Sequence, residues 1–252
     1  MVDFRIVQLT DLHIGDEDEY PFGVNLRANL IHVMADVERM NPDLLVITGD
    51  FCLGDPKFEN YLWIQQQLDR SGIPYEVIGG NHDDISQMTT GLIGEDLSTE
   101  EDEYYFSDLV HDYHILYLDS AKGRLSDVQL DWVRAEIINA KGHPLMVFIH
   151  HPPVTSGVPH MDRKYPLQNG HQLMEILRTH EGTVQVFSGH YHVDRCVVAD
   201  NVVVHITPSL FMQLFPYTEG FSIDHYQVGY RVIDFTEKGV QHAVRYLPGN
   251  RF

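Results

Sequence analysis

The sequence predicts an α/β fold that begins as alternating strands and helices and ends in antiparallel hairpins. Three observations carry this. Apolar runs of strand length recur between helical patterns, most of the connections are short, and two late pairs of β-rich runs flank turn-forming residues.

Taken in order, Phe4 to Leu9 reads as a buried strand. Leu26 to Met40 reads as a helix, because Leu26, Leu30, Val33, Met34 and Val37 recur every three or four residues and so share one face. Leu44 to Thr48 is a second strand, Phe58 to Leu68 a helix and Tyr75 to Ile78 a third strand. Ser126 to Asn139 is helical, with Ser126 and Gln129 spaced as a capping box. Leu145 to Ile149 and Val184 to Phe187 are further strands, with a helix near Gln172 to Thr179 between them. Cys196 to Ala199 and Val202 to Ile206 flank Asp200-Asn201, a two-residue hairpin turn. Gly229 to Phe235 and Val240 to Leu247 flank a second turn at 236–239. The stretch Val154 to Gln168, rich in Pro, Gly and His, is the longest loop, and such loops often line sites. No repeat or linker interrupts residues 1–252. A single domain is expected, with its antiparallel portion at about 196–247.

Composition narrows the function. Of 252 residues, 43% are hydrophobic, enough for a sizeable core. Lys and Arg total 17 against 37 Asp and Glu, a net charge of -20, which repels polyanions and argues against a nucleic-acid polymer as partner. Only Cys52 and Cys196 are present, so no disulfide framework is indicated. The N-terminus shows no leader pattern and no apolar run is long enough to span a membrane. A cytoplasmic protein without membrane partners is the expectation.

The chemistry lies where strands end. Five apolar runs are each followed at once by ligand-type residues: Asp11-Leu12-His13, Asp50, Asn81-His82-Asp83, His150-His151 and His190-Tyr191-His192. In open α/β sheets ligands bind outside the carboxyl ends of strands, so five such ends can converge on one pocket. Residues two apart in extended chain point the same way, which would let Asp11 with His13, and His190 with His192, reach a shared centre. Gly49, Gly80 and Gly189 permit close backbone approach. Mixed oxygen and nitrogen ligands suit Zn, Mn or Fe better than Ca. Two such ions roughly 3.5–4 Å apart are a known arrangement for phosphate-ester hydrolysis, clamping phosphoryl oxygens and turning a bridging water into hydroxide. Two divalent ions, two carboxylates and one hydroxide sum to about +1, which matches a singly charged phosphodiester. Singly, each of these residues is as readily a turn former or cap; their joint occurrence favours the metal reading.

The order Asp-x-His, Gly-Asp, Gly-Asn-His-Asp, His, Gly-His-x-His resembles the calcineurin-like metallophosphoesterases over residues 4 to about 206. The resemblance implies a four-layer α/β/β/α sandwich of two mixed sheets flanked by helices. It implies that Asp11, His13, Asp50 and His192 hold one metal and that Asp50, Asn81, His150 and His190 hold the other. His13, Asp50, Asn81, His82 and His192 would face the phosphate, with His82 stabilising or protonating the leaving group. Phe22-Gly23-Val24-Asn25, Gly80-Asn81-His82-Asp83-Asp84, His150-His151-Pro152-Pro153, Met161-Asp162 and Asn169-Gly170-His171 are similar to bacterial class III cyclic-nucleotide phosphodiesterases and glycerophosphodiesterases. Phe51-Cys52-Leu53-Gly54 after Asp50, and Asp83 in place of Glu, depart from the Ser/Thr protein phosphatase branch. The expected substrate is a small phosphodiester, with a phosphomonoester or nucleotide pyrophosphate as the alternative. A scaffold that has lost catalysis is the reading from another class, disfavoured because no ligand position is substituted. Related proteins form dimers or larger assemblies, and the aromatic-rich stretch Phe211 to Tyr230 is the expected contact. Tyr20, Asn25, His160, His171 and His225 are open as pocket-lining residues, and His151 is expected behind the ligands or at the surface.

Overall fold

A computed structural model describes residues 2–252. The chain runs through β1 (Val2–Leu9), α1 (Leu26–Glu38), β2 (Leu44–Thr48), α2 (Phe58–Ser71), β3 (Tyr75–Ile78) and α3 (Ile85–Leu92). It continues with β4 (Phe106–Val110), β5 (Tyr113–Leu118), α4 (Asp127–Asn139), β6 (Leu145–Ile149), α5 (Pro159–Lys164), α6 (Gly170–Leu177) and β7 (Val184–Ser188). It ends with β8 (Arg195–Ala199), β9 (Val202–Ile206), β10 (Gln213–Leu214), β11 (Ile223–His225), β12 (Val228–Thr236) and β13 (Gly239–Leu247). One sheet has the order β13-β12-β1-β2-β3, the other β4-β5-β6-β7-β9-β8, and β10 pairs with β11 apart from both.

The alternation of side chains along each strand generates three apolar layers. In the first sheet Val7, Leu9, Leu45, Ile47 and Val77 pack with Leu30, Val33, Ile64 and Met88 of α1, α2 and α3. Their neighbours Ile6, Val46 and Ile78 turn the other way and meet Ile115, Tyr117, Met146, Phe148 and Phe187 of the second sheet. The far face of that sheet, through Leu116, Val147 and Val186, packs on Leu130, Val133 and Leu173 of α4 and α6. The result is the expected four-layer sandwich. The strands that carry the ligand motifs run in parallel, β1 with β2 and β2 with the edge strand β3 in one sheet, β5 with β6 and β6 with β7 in the other. Their carboxyl ends therefore lie at the same edge of each sheet. No helix of the described residues is long and apolar enough to cross a membrane.

The late antiparallel stretch is divided. The β8–β9 hairpin joins the second sheet through a parallel pairing of β9 with β7, whereas the β12–β13 hairpin joins the first through an antiparallel pairing with β1. The second turn is also tighter than expected, with Thr236 opposite Gly239. Ser126 does cap α4 through Gln129 N, but its own N–H donates to Glu103 Oε1, because the Gln129 side chain instead pins Asp119. The sequence reading misses α3, β4, β5 and α5, as well as the short β10 and β11. Helix α3 is short, contains Gly91 and depends on an Asp84 cap to Gln87 N at 2.9 Å. Strands β4 and β5 join at His111-Asp112, with His111 at φ +53° in place of an Asn-Gly signal. The expected Val154–Gln168 loop contains α5, which Pro159 starts and Asp162 anchors by accepting from Ser156, Gly157 and Val158 N.

Candidate metal centre and substrate cavity

Each sequence-predicted ligand follows a strand end: Asp11 and His13 follow β1, Asp50 follows β2, Asn81 and His82 follow β3, His150 follows β6, and His190 and His192 follow β7. Hydrogen bonding carries on beyond the strands, with Asp11 N on Gly49 O at 3.0 Å, His13 N on Asp50 O at 2.9 Å and Gly189 N on His150 O at 3.0 Å. The last of these ties loops after neighbouring strands of the second sheet; the first two tie loops of the first sheet. Gly49, at φ +89°, fits this crowding: a Cβ there would lie 2.6 Å from Gly80 N and 2.7 Å from His150 Nδ1.

The side chains converge, but not by extended geometry. Asp11, His13, Asp50, His190 and His192 all have positive φ, between +48° and +66°. The argument that residues two apart in extended chain share a direction therefore fails here. The loops instead make successive left-handed turns that aim each side chain inward. Asp and His tolerate this region better than branched residues do, and such strain persists where the surroundings over-determine it.

Two triads result. Asp11, His13 and His192 each offer a ligand atom within 4.8 Å of the others, and so do Asp50, His150 and His190. A third set, His13, Asp50 and His82, bridges them. The hydrogen bonds fix which atoms remain for a cation. Asp11 Oδ2 accepts from Thr10 Oγ1 and His190 N, both at 2.9 Å, which leaves Oδ1 buried without a partner among the described residues. His192 Nδ1 faces Met212 O at 3.1 Å, His150 Nδ1 faces Thr48 O at 2.7 Å, and His190 Nε2 faces Tyr165 O at 3.0 Å. Backbone oxygens of this kind select the tautomer, so Nε2 of His192 and His150 and Nδ1 of His190 are the lone pairs left. His13 Nε2 and His192 Nε2 stand 3.2 Å apart and His192 Nε2 is 3.2 Å from Asp11 Oδ1. Lone pairs at that separation repel unless a proton or a cation lies between them. A divalent pair fits this donor set of carboxylate oxygen and imidazole nitrogen. Asp50 lies between the triads, with Oδ1 3.3 Å from His150 Nε2 and Oδ2 3.7 Å from His13 Nε2.

Electrostatics keeps two carboxylates ionised and two imidazoles neutral, the forms that bind cations, whereas His150 holds a proton that a cation would have to displace. Burial alone would raise both carboxyls, yet His192 pulls Asp11 down to about 2 and His150 holds Asp50 well below the usual carboxylate range. Burial lowers His13 to about 4 and His190 to about 3. His150 goes the other way: burial would lower it, but Asp50 and then Asp11 hold it up to about 9. Asp83 is raised to about 7 by burial and by Asp50, and it accepts from Phe51 N, Gly80 N and Tyr61 Oη. It therefore secures the turn on which Asn81 and His82 stand.

Above the triads opens a cavity of about 500 Å³. His13, Asp50, Asn81, His82, His190 and His192 line its floor, and Leu53, His160, Met161, Tyr165, Phe211, Met212, Leu214 and Phe221 its walls. Asn81 is exposed, while His82 donates its backbone N–H to Asp50 Oδ1 at 2.9 Å and rests Nδ1 near Gly54 O. Among the described residues no Lys or Arg lines it, and Arg195 lies over the Tyr217 ring instead. Of the open candidates, His160 lines the wall. Asn25 caps α1 on Ala28 N, Tyr20 packs on Phe252, His225 packs on Tyr246, and His171 lines a separate hollow. His151 is buried against the His190 ring with Nδ1 on Ser120 Oγ. The apolar wall residues went unassigned in the sequence because nothing in a lone Met, Leu or Phe separates a cavity wall from a core.

This arrangement is that of a metal-dependent phosphate-ester hydrolase. The chain belongs to the calcineurin-like phosphoesterase family, whose model matches residues 4–194. It is 30% identical over 240 residues to a probable cyclic nucleotide phosphodiesterase of Fibrobacter succinogenes, covering 95% of this chain and 93% of that one. It is 29% identical over 202 residues to the glycerophosphodiester phosphodiesterase GpdQ of Enterobacter lignolyticus, covering 74% and 70%. Its fold is similar to that of a dimetal phosphatase from Danio rerio, with a TM-score of 0.67, 14% identity and coverage of 98% and 100%.

Proposed function

We propose that the chain is a dinuclear-metal phosphodiesterase acting on small diesters, 3',5'-cyclic nucleotides or glycerophosphodiesters. The carrying observation is the cavity itself: a floor of Asp50, Asn81 and the imidazoles of His13, His82, His190 and His192, with no Lys or Arg among the described lining residues. A dianionic monoester would gain from a fixed cation, whereas a monoanionic diester matches a weakly positive site. In this reading Asp11, His13, Asp50 and His192 hold one ion, and Asp50, Asn81, His150 and His190 the other, with Fe, Mn or Zn as the candidates. When bound, the ions supply positive charge to the phosphoryl oxygens and lower the pKa of water.

The protein's own groups do the rest. Thr10 and the His190 N–H hold Asp11, and the carbonyls of Thr48, Met212 and Tyr165 orient three imidazoles. Asn81 steadies a non-bridging oxygen. Water adds to phosphorus and releases a proton to solvent, one ester P–O bond breaks, and the departing alkoxide takes a proton from His82 Nε2, which solvent restores. Free Cys52 and Cys196 suit a cytoplasmic setting, and exposed Phe215 and Tyr217 are surface that a second copy would cover. We read residues 1–252 as one domain.

Two measurements test this. Metal-loaded protein should cleave bis(4-nitrophenyl) phosphate much faster than 4-nitrophenyl phosphate; the reverse order refutes the diester reading. His82→Ala should lower turnover of an alkyl diester by about 10²-fold or more at unchanged metal content, and lower it less for an aryl diester, whose leaving group needs no proton. Loss of metal without loss of turnover would contradict the role given to His82.

A further inference from the structure

The aromatic wall residues Phe211, Phe221, His160 and Tyr165 belong to an unbroken series of rings that Phe22, beside the cavity, completes. From His13 the series passes to Phe211 at 5.6 Å, to Phe22 at 6.1 Å and to Phe221 at 6.1 Å between centroids. It continues from Phe221 to His160 at 6.1 Å, to Tyr165 at 5.8 Å and to His190 at 6.5 Å. It thus starts on one candidate metal ligand and returns to another, forming a collar above the floor. The collar is assembled from three segments far apart in sequence: the turn at Pro21–Gly23, helix α5 with the residue after it, and the loops around β10.

Two facts set the collar apart from ordinary core. Phe22, Phe221 and Tyr165 are 52%, 52% and 50% exposed, so three ring faces remain open beside a site that already has its polar groups. Phe22 also stands at φ +53°, a left-handed conformation that a bulky residue rarely adopts. The turn is held there from outside: Phe22 O accepts from Arg251 Nε at 3.1 Å, Gly23 O from Phe252 N at 2.9 Å, and Asn250 O from Asn25 N at 2.8 Å. Strain of this kind persists only where the surroundings enforce it. Burial does not explain it, since the ring is not buried.

We propose that the collar is a stacking site for the nucleobase of the diester, with Phe22, Phe221 and Tyr165 as specificity-determining residues. This deepens the phosphodiester reading and rests on it, because it assigns the substrate to the nucleotide rather than the glycerol class. A base presents a flat π-face that aromatic side chains bind without hydrogen-bond readout. A glycerol headgroup has no such face. The collar contributes no amide or carboxylate side chain to the cavity, so it recognises the presence of a base rather than its identity.

Equilibrium binding to the metal-loaded full chain tests this, with 5'-AMP, 5'-GMP and glycerol 3-phosphate as probes. AMP and GMP are expected to bind within about threefold of each other, and both more tightly than glycerol 3-phosphate. Phe221→Ala and Phe22→Ala are each expected to weaken AMP about tenfold while glycerol 3-phosphate moves less than twofold. Phe221→Tyr should retain AMP affinity and Phe221→Leu should lose it, which separates ring stacking from mere bulk. Tyr217→Ala, an exposed ring outside the collar, should move neither probe. Equal loss for all probes, no loss for AMP, or a change confined to oligomeric mass would overturn the inference. Release of phosphate from the probes, or failure to cleave any diester, would instead refute the diester reading and leave the binding comparison intact.

Discussion

The same strands build two contrasting regions. Between the sheets, Ile6, Val46, Ile78, Met146, Phe148 and Phe187 form a dry layer in regular strand geometry. A few residues further on, β1, β2, β6 and β7 deliver Asp11, Asp50, His150 and His190, buried, crowded and largely left-handed. One region keeps regular strand geometry; the other leaves it at Asp11, His13, Asp50, His190 and His192. Apolar layers gain free energy wherever area is removed from water, so their content is interchangeable. The ligand cluster gains nothing from burial by itself and is held in place by the layer beneath it. Stability belongs to the first region and chemistry to the second.

This contrast can be broken from either side. The largest effect is expected at Asp50, which lies in two of the three ligand sets. Asp50→Ala should lower metal affinity by more than about 100-fold, since even outer partners of ligands are worth 10- to 100-fold. Turnover should fall at least as far, while the metal-free protein unfolds at an unchanged or higher temperature; metal titration and a thermal scan read both. Phe148→Ala in the dry layer should do the opposite, costing about 3–5 kcal/mol of stability by denaturant titration while the folded fraction keeps its metal stoichiometry. Gly49→Ala joins the two regions. Its Cβ would collide with Gly80 and His150, and φ +89° suits no side chain, so about 1–3 kcal/mol of stability and a measurable part of the metal affinity should be lost together.

The smallest expected effect concerns pH. His205 packs on Phe187 and His242, and burial lowers it to about 3. Above about 6.5 both folded and unfolded forms are neutral and nothing is lost. Between about 6.5 and 3 the unfolded chain takes up a proton that the folded one refuses, so stability falls on acidification. His205→Gln should remove about one proton from that dependence, read as a shallower slope of unfolding free energy against pH; an unchanged slope would show that His205 takes no part.

How much was legible in the sequence follows the same division. Leu44–Thr48, Tyr75–Ile78 and Leu145–Ile149 coincide with observed strands, because buried parallel strands are continuous apolar runs bounded by turn residues. The edge hairpin of β4 and β5 lacked that signal, since Ser107 and Asp108 interrupt the one strand and His111 replaces the usual turn residue. The ligand-type residues were visible as motifs after strand ends, and the structure brings Asp11, His13, Asp50, His150, His190 and His192 into overlapping sets. The conformation that brings them there was not visible, because left-handed Asp and His carry no mark in sequence. The aromatic collar was invisible for another reason: Phe22, Tyr165 and Phe221 are distant in the chain and meet only through the tertiary fold.

The central claim is that two cations are gathered by these strand ends, and counting them tests it most directly. Protein stripped with chelator, reloaded with Mn and freed of excess should hold two metal ions per chain by elemental analysis, falling below one in Asp50→Ala. A wild-type chain that retains none, or an Asp50→Ala chain that retains two, would contradict the account.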